Sequence, residues 1–204
     1  MTAPRMIAIW CPDWPVTAAR LDAGLGADEP VAVLVANRVT ACSHSARTAG
    51  VRRGLRRREA QSRCPELVVM ARNEAVEARM FEPVVAALEA IAPGVEITRP
   101  GLAAIGVRGP TRYFGGETGV VHALSRAVGT FDGSDVLIGI ADGAFAAQHA
   151  ARRAVIVDAG ESPAFLADLP IETLDPSGNS ALIDLLNRLG IRTLGAFAAL
   201  SPRD

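Results

Sequence analysis

Short apolar runs, separated by glycine, proline and polar residues, mark the strands of this chain. The first run, residues 6–10, ends at Cys11 and Pro12, as is typical of a buried strand followed by a turn. Runs of the same kind predict further strands at residues 31–35, 39–43, 66–70, 95–99, 102–108, 135–141 and 154–158. The dipeptide Pro100-Gly101 favours a β-hairpin between two of these strands.

Apolar positions at helical spacing predict helices between the strands. The clearest helix, residues 73–92, has one apolar face and contains Pro83, which should kink it. That face consists of Met80, Val84, Val85, Leu88 and Ile91. Further helices are predicted at residues 15–23, 57–62, 118–128, 145–153, 180–189 and 193–200, and residues 47–50 form a loop or a short helix.

The order of these elements predicts an α+β fold. With residues 11–72 set aside, the order is βαββαβ, the ferredoxin-like arrangement. Residues 1–10 and 73–160 then form one domain, into which residues 11–72 are inserted as a small α/β unit. Residues 161–204 form a helical segment, with Gly190 and Gly195 bracketing a turn as in a helix–hairpin–helix pair. Because the chain stops soon afterwards, we expect it to be truncated before a further region.

Charge is distributed very unevenly along the chain. The formal net charge is -1, and every basic side chain other than histidine is arginine. Between Arg47 and Arg63 there are seven arginines and one acid, Glu59. Guanidinium groups match phosphate oxygens well, so this stretch indicates a nucleic-acid partner. The five central arginines are the predicted DNA-binding residues: Arg52, Arg53, Arg56, Arg57 and Arg58. A solvated helix face remains the alternative interpretation.

Other classes of protein are excluded by composition. The three cysteines, Cys11, Cys42 and Cys64, are too few and too scattered for a disulfide framework or a zinc site, and we expect buried thiols. No apolar stretch approaches the roughly 20 residues that cross a bilayer, and no signal peptide is recognised. We therefore expect a cytoplasmic protein with no membrane partner and no cofactor.

Several strings resemble the N-terminal half of Y-family, or translesion, DNA polymerases. They are SARTAGVRRGLRRREAQSRCPELVVM, the hairpin at 95–108, LIGIADGAFAAQHAAR and LNRLGIRTLGAFAAL. The resemblance implies that residues 1–10 and 73–160 are the palm, that residues 11–72 are the fingers, and that residues 161–204 are part of the thumb.

The resemblance also implies where the catalytic acids should stand. The family places carboxylates at the positions of Trp10, Gly101 and Leu102, where they hold two divalent cations. None of these three residues can bind magnesium, so we predict no metal site, no catalytic residues and no enzyme activity. The alternative is an active lesion-bypass polymerase that uses displaced acids such as Asp13, Glu96 or Asp142.

Part of the family's triphosphate-binding set is retained. The fingers of the family present a tyrosine and, three residues later, an arginine, and those places hold His44 and Arg47 here. Both are predicted as vestigial phosphate-binding residues, with an ordinary loop side chain as the alternative for each. Arg152 and Arg153 are further possible phosphate contacts, with an uncertain register.

One subgroup of the family, the ImuB-type inactive paralogues, is similar in the start IAIWCPDWPVTAAR. This resemblance implies a non-catalytic adaptor in damage-induced mutagenesis. Its partners are an error-prone C-family polymerase, an ImuA-type accessory protein and the sliding clamp, contacted mostly through regions beyond Asp204. The resemblance also implies DNA as a partner. We expect weak DNA binding, directed to the backbone, because the rest of the chain is acidic. A non-specific DNA-binding module of unrelated descent is the third hypothesis.

Overall fold

The computed structural model describes residues 3–131, 134–175 and 181–200. Its strands are β1 (Arg5–Trp10), β2 (Val31–Val35), β3 (Arg38–Cys42), β4 (Val68–Ala71), β5 (Glu96–Arg99), β6 (Leu102–Gly106), β7 (Thr130–Phe131), β8 (Ser134–Asp135) and β9 (Leu137–Asp142). Its helices are α1 (Trp14–Asp22), α2 (His44–Thr48), α3 (Arg57–Arg63), α4 (Glu74–Glu89), α5 (Arg108–Phe114), α6 (Glu117–Val128), α7 (Ala144–Ala151), α8 (Ser162–Ala167), α9 (Ala181–Arg188) and α10 (Leu194–Ala198). Ser180, with which a predicted helix begins, and residues 201–204, with which the predicted helical segment ends, lie outside the described residues.

The larger sheet has four strands in the order β5-β6-β1-β9, and every neighbouring pair is antiparallel. Helix α4 connects β4 to β5, and α6 lies between β6 and β9 along the chain. This is the strand order and orientation of a ferredoxin-like sheet, so the predicted α+β class and βαββαβ order are confirmed.

The two faces of this sheet are packed differently because side chains alternate along β1. Ile7 and Ile9 project into the main core, together with Phe81 and Leu88 of α4 and Leu124 of α6. On the other face, a layer of small residues packs against α7. Gly139 allows this helix to approach closely, since a Cβ at that position would lie 2.0 Å from the backbone nitrogen of Ala151.

The smaller sheet belongs to the inserted region and has the order β3-β2-β4. Strands β2 and β3 are antiparallel, whereas β2 and β4 are parallel. Cys42 and Cys64 lie in its core, and Cys11 lies in the core of the larger sheet. All three cysteines are free and buried, as predicted. Burial raises the pKa of Cys11 to about 12 and raises the pKa of the other two thiols, so they stay protonated.

Helix α1 connects the two sheets. Trp14 is 1% exposed, and its indole Nε1 donates a hydrogen bond of 2.9 Å to the backbone oxygen of Glu77 in α4. Its ring also packs edge-on against Phe81, with the ring centroids 5.1 Å apart. The buried Glu77 carboxylate accepts a hydrogen bond of 3.0 Å from Arg72, so its charge is compensated within the protein.

Three local predictions differ from the structure. Helix α5 was not expected, because its sequence contains Gly109 and Pro110, which are poor helix formers. Residues 154–158 were expected to form a strand, but only Ile156 forms a bridge, to Ile140. The short helix α2 begins before residue 47, because Ser43 caps it by accepting a hydrogen bond from the amide of Ala46. Within the described ranges, no helix is long and apolar enough to cross a bilayer.

Replacing Asp142 with asparagine is expected to cost about 1 to 3 kcal/mol of stability at neutral pH, because its charged hydrogen bonds are lost. One carboxylate oxygen accepts from the amide of Gly160 at 2.7 Å, and the other accepts from Arg5 at 3.1 Å. Chiefly the Gly160 hydrogen bond, and then Arg5, lower the pKa of Asp142. A lowered pKa stabilises the fold above the unfolded-state value of about 3.9. The difference between the two proteins in thermal unfolding should therefore shrink below about pH 4.

The matched control is Glu96→Gln, which removes an exposed carboxylate from the edge strand β5. This variant should have the same unfolding temperature as the parent protein at neutral pH and at pH 3. An Asp142→Asn deficit that is unchanged at pH 3 would contradict the assignment of the effect to the carboxylate charge.

Candidate nucleic-acid interface

A row of side chains crosses one end of the larger sheet. Trp10 is paired with Leu102 on β6 and with Leu137 on β9, and Leu102 is in turn paired with Arg99 on β5. Directly opposed residues of antiparallel strands project to the same face of a sheet. Arg99, Leu102 and Trp10 therefore lie side by side on the face that carries α7. The positions predicted to correspond to the family's acids thus hold an indole, a turn glycine and a buried leucine.

Gly101 forms the hairpin turn at the end of this row. Its φ is +84°, a backbone conformation that residues with a side chain rarely adopt. A Cβ at Gly101 would lie 2.4 Å from the Cβ of Trp14, and the Gly101 oxygen accepts a hydrogen bond of 2.9 Å from the amide of Cys11. The turn is therefore packed directly against the start of α1, which leaves no space for an aspartate.

The three acids considered as replacement ligands are not brought together. Asp13 forms an ion pair with Arg47 at 2.6 Å. Glu96 is exposed on the edge strand β5. Asp142 lies opposite Arg5, at the far end of β1 from Trp10 and roughly 15 to 20 Å away. No group of three or more histidine, cysteine, aspartate or glutamate side chains within residues 3–131, 134–175 and 181–200 could hold a metal ion. The residues found at this end of the sheet do not fit a pair of magnesium ions.

The two predicted phosphate-binding residues lie in α2 but differ in their contacts. Besides its ion pair with Asp13, Arg47 donates a hydrogen bond of 2.7 Å to the backbone oxygen of Cys42. Its guanidinium therefore links α2 and the end of β3 to the residue before α1. His44 is exposed at the first turn of α2, and its backbone oxygen accepts from the hydroxyl of Thr48. Its imidazole remains accessible to a ligand.

The five predicted DNA-binding arginines are all exposed. Arg52 is held in place, because its guanidinium donates to the backbone oxygens of Arg47 and Val51. The other four, which we call the arginine surface, lie in the loop before α3 and in its first turn: Arg53, Arg56, Arg57 and Arg58. In the described part of the chain, their side chains form no hydrogen bond or ion pair with an acid. The neighbouring acid, Glu59, is paired with Arg63 at 3.0 Å. An external counter-ion is thus the available partner for these four charges.

Arg152 and Arg153 follow α7 and point to different partners. The Arg152 guanidinium carbon lies 5.6 Å from the centre of the Trp10 ring, a cation–π contact. Arg153 lies 5.3 Å from the ring of Phe165 instead. The Arg152 guanidinium also approaches Nδ1 of His149 at 3.5 Å. Burial, together with the positive charges of Arg152 and Arg153, lowers the pKa of His149 to about 4, so this imidazole is neutral at pH 7.

Arg99 is a site residue that sequence reasoning missed. Its pKa is lowered, first by loss of surrounding water and then by the positive charges of Arg72 and Arg53. The pKa of Arg152 is lowered in the same way, by loss of water and by the charges of Arg99 and Arg53. The signal for Arg99 in the sequence was its position immediately before Pro100, since the hairpin turn carries Arg99 to the end of the sheet.

Comparison with known proteins gives a consistent result. The impB/mucB/samB family matches residues 9–152. The chain is 32% identical over 165 residues to DNA polymerase IV 2 of Mesorhizobium japonicum, and the alignment covers 78% of this chain and 40% of that protein. The chain therefore spans less than half the length of this curated relative.

Solved structures show the same fold at lower identity. DinB from Sulfolobus solfataricus superposes with a TM-score of 0.71 at 20% identity, covering 97% of this chain and 60% of that one. The insertion ternary complex of Dbh DNA polymerase has a TM-score of 0.71 at 18% identity, covering 97% of this chain and 61% of that one. A Y-family DNA polymerase chimera of Dbh and Dpo4 has a TM-score of 0.72 at 18% identity, covering 97% of this chain and 61% of that one.

These findings correct two of the hypotheses drawn from the sequence. The prediction that the chain is not an enzyme is contradicted, because the curated relative is named a DNA polymerase and the similar structures are those of DNA polymerases. A nucleic-acid-binding module of unrelated descent is also wrong, because the family match extends over most of the chain. The chain belongs to the impB/mucB/samB family and has the fold of Y-family DNA polymerases.

Proposed function

We propose that this chain acts in damage-induced, mutagenic translesion DNA synthesis, as an adaptor that holds a polymerase-like fold against DNA. The observation that supports this function most strongly is the exposed arginine surface on a member of the impB/mucB/samB family. Four exposed guanidinium groups without an acidic partner in the described part of the chain can pair with the phosphates of a nucleic-acid backbone. Contacts of this kind are independent of base sequence and sensitive to salt.

We further propose that residues 1–10 and 73–160 serve as palm, residues 11–72 as fingers, and residues 161–204 as part of a thumb. Within the family, the start IAIWCPDWPVTAAR and the residues Trp10, Gly101 and Leu102 favour the ImuB-type branch. An adaptor of this type would join an error-prone C-family polymerase, an ImuA-type accessory protein and the sliding clamp. An adaptor role is compatible with nucleotide incorporation by the same protein.

Disruption of the full-length gene in the organism that carries it should reduce the frequency of mutations induced by ultraviolet light to that of undamaged cells. A plasmid copy should restore the induced frequency. A copy with glutamine at Arg53, Arg56, Arg57 and Arg58 should not restore it, although the protein accumulates to the same level, because DNA contact is lost. Induced mutagenesis that is unaffected by the disruption would contradict the proposed function.

Templated nucleotide incorporation is a second candidate function, favoured by the name of the curated relative, DNA polymerase IV 2. Primer extension by the purified full-length protein with magnesium tests it. Incorporation directed by the template base would support this candidate. Absence of incorporation, under conditions in which the protein demonstrably binds the primer–template, would count against it.

A further inference from the structure

The main core of the larger sheet is left uncovered at the edge strand β5. One cross-strand row on the face that carries α4 consists of Ile138, Ile9, Ala103 and Ile97. The first three residues are at most 5% exposed, whereas Ile97, the last member of the row, is 54% exposed. Because opposed residues project to the same face of a sheet, the row ends in an apolar side chain with little cover.

A groove, which we call the β5 groove, lies between this edge strand and helix α4. It has a volume of about 400 Å³, and its apolar lining consists of Ala78, Phe81, Val85, Ala86, Ile97 and Pro100. Phe81 is 1% exposed and belongs to the main core, so the groove reaches down to that core. Its volume lies in the range of pockets that hold ligands and leaves room for a large apolar side chain.

Two acids flank the β5 groove. Glu82 and Glu89 are seven residues apart on α4, and both line the groove. Seven residues are about two helical turns, so the two positions lie on one side of the helix and about 10 Å apart along its axis. Both side chains are exposed, and neither has an ion pair in the described part of the chain. Since none of the lining residues is basic, the groove favours an occupant that combines apolar surface with positive charge.

Strand β5 also offers part of its backbone for pairing. It is hydrogen-bonded to β6 alone, and all four of its residues are exposed. Opposed residues of antiparallel strands alternate between bonded and non-bonded pairs, so either Glu96 or Ile97 directs its amide and carbonyl groups away from β6. Within the described ranges, Glu96–Arg99 form no further backbone hydrogen bond. The register shift after Ile97 keeps this free edge short, so a partner strand needs the groove for specificity.

We propose that β5 and the β5 groove bind an extended segment of a partner protein, with one large apolar side chain between two basic ones. The segment adds a strand beside β5, and its residue opposite Ile97 places its side chain in the groove, because paired residues share a face. Residues two positions before and after it project to the same face and lie roughly 13 Å apart. Long basic side chains at those positions reach Glu82 and Glu89. The pattern recognised is therefore basic–x–apolar–x–basic.

Other occupants fit this surface less well. Two copies of this chain joined through β5 would bring Glu82 and Glu89 of both copies together, and these like charges repel one another. A helical segment cannot bond to the edge of β5, since its backbone groups are already paired within the helix. A nucleic-acid strand is repelled by the same two carboxylates.

Nuclear magnetic resonance titration of isotope-labelled residues 1–204 tests this site. The probe is the peptide Ser-Lys-Thr-Phe-Thr-Lys-Ser, acetylated and amidated at its ends. We expect saturable shift changes in α4 and β5, together with slower hydrogen exchange of an amide in β5, because that amide becomes bonded to the peptide. Replacement of the peptide's phenylalanine with serine should weaken binding about tenfold or more, since the apolar anchor is lost.

The acidic flank is tested by Glu82→Gln combined with Glu89→Gln. We expect this variant to bind the peptide about threefold to tenfold more weakly at low salt, because two exposed ion pairs are lost. The matched control, Asp28→Asn combined with Asp184→Asn, removes two exposed acids from other parts of the chain and should leave the affinity unchanged.

The apolar part of the site is tested by Ile97→Ser. We expect this variant to weaken peptide binding about fivefold or more, because the groove loses one of its walls. The matched control is Leu182→Ser, which removes an apolar side chain of the same 54% exposure from α9 and should leave the affinity unchanged. Thermal unfolding of every variant establishes that it remains folded.

Several results would overturn the site. They are the absence of saturable shifts, shifts that lie outside α4 and β5, and equal weakening by either control variant. Binding without slower exchange in β5 would exclude strand addition. Self-association that is abolished by Ile97→Ser would assign the groove to a second copy of this chain. The groove variants should leave DNA affinity unchanged, so failure of this site and failure of the proposed function can be distinguished.

Discussion

Replacement of Gly101 with alanine is expected to destabilise the protein by about 2 to 5 kcal/mol. Part of this cost, about 1 to 2 kcal/mol, comes from placing a side chain at a φ of +84°. The rest comes from the contact of the new Cβ with Trp14, which would be 2.4 Å from Cβ to Cβ. Trp14, the first residue of α1, is buried against α4 and cannot move aside without breaking its hydrogen bond to the backbone oxygen of Glu77.

Gly94→Ala is the matched control for this variant. Gly94 has a φ of +81°, almost the same as that of Gly101, but a Cβ there would have no neighbour within 4 Å. Its replacement should cost only the free energy of placing a side chain at a positive φ, about 1 to 2 kcal/mol. Denaturant unfolding should therefore place Gly101→Ala well below Gly94→Ala in stability. Equal stability of the two variants would show that the turn is not packed against Trp14.

The second large effect is expected for DNA binding. Glutamine at all four positions of the arginine surface should lower the affinity for primer–template DNA on the order of a hundredfold at low salt. The reason is that the variant neutralises fewer phosphates and therefore releases fewer counterions from the DNA when it binds. Fluorescence anisotropy with a labelled duplex measures this loss. The parent affinity itself should be weak, since residues 73–204 carry more acids than arginines.

A charge-matched control variant separates local contact from a general change in net charge. Glutamine at Arg108, Arg112, Arg126 and Arg188 removes the same four charges from exposed positions on α5, α6 and α9. This variant should bind DNA with nearly the parent affinity. An equal loss of affinity in both variants would mean that net charge alone governs binding.

The order of the elements could be predicted from the sequence because strands and helices alternate with clear apolar periods. The order βαββαβ follows from the residues that also make the core, such as Ile7, Ile9, Leu88 and Leu124. Helix α5 could not be predicted, since Pro110 and Gly109 disfavour a helix and packing against α6 compensates for them. Local propensity does not include such tertiary contacts.

The candidate site was predictable only where its residues are adjacent in sequence. The run from Arg52 to Arg58 is visible as a block of like charges. The placement of Arg99 and Arg152 on one face of the larger sheet is not visible, because it depends on a hairpin and on a helix that packs across β1. The ion pair between Asp13 and Arg47 is hidden for the same reason, and it changes how Arg47 is interpreted.

The salt dependence of DNA affinity tests most directly the claim that the arginine surface binds the DNA backbone. For residues 1–204 with a primer–template duplex, the logarithm of affinity should fall with the logarithm of salt concentration with a slope of about −3 to −4, as expected for about four phosphate contacts. The slope should be the same for two unrelated DNA sequences and should be nearly lost when the four arginines are replaced by glutamine. A slope that is unchanged in that variant would contradict the claim.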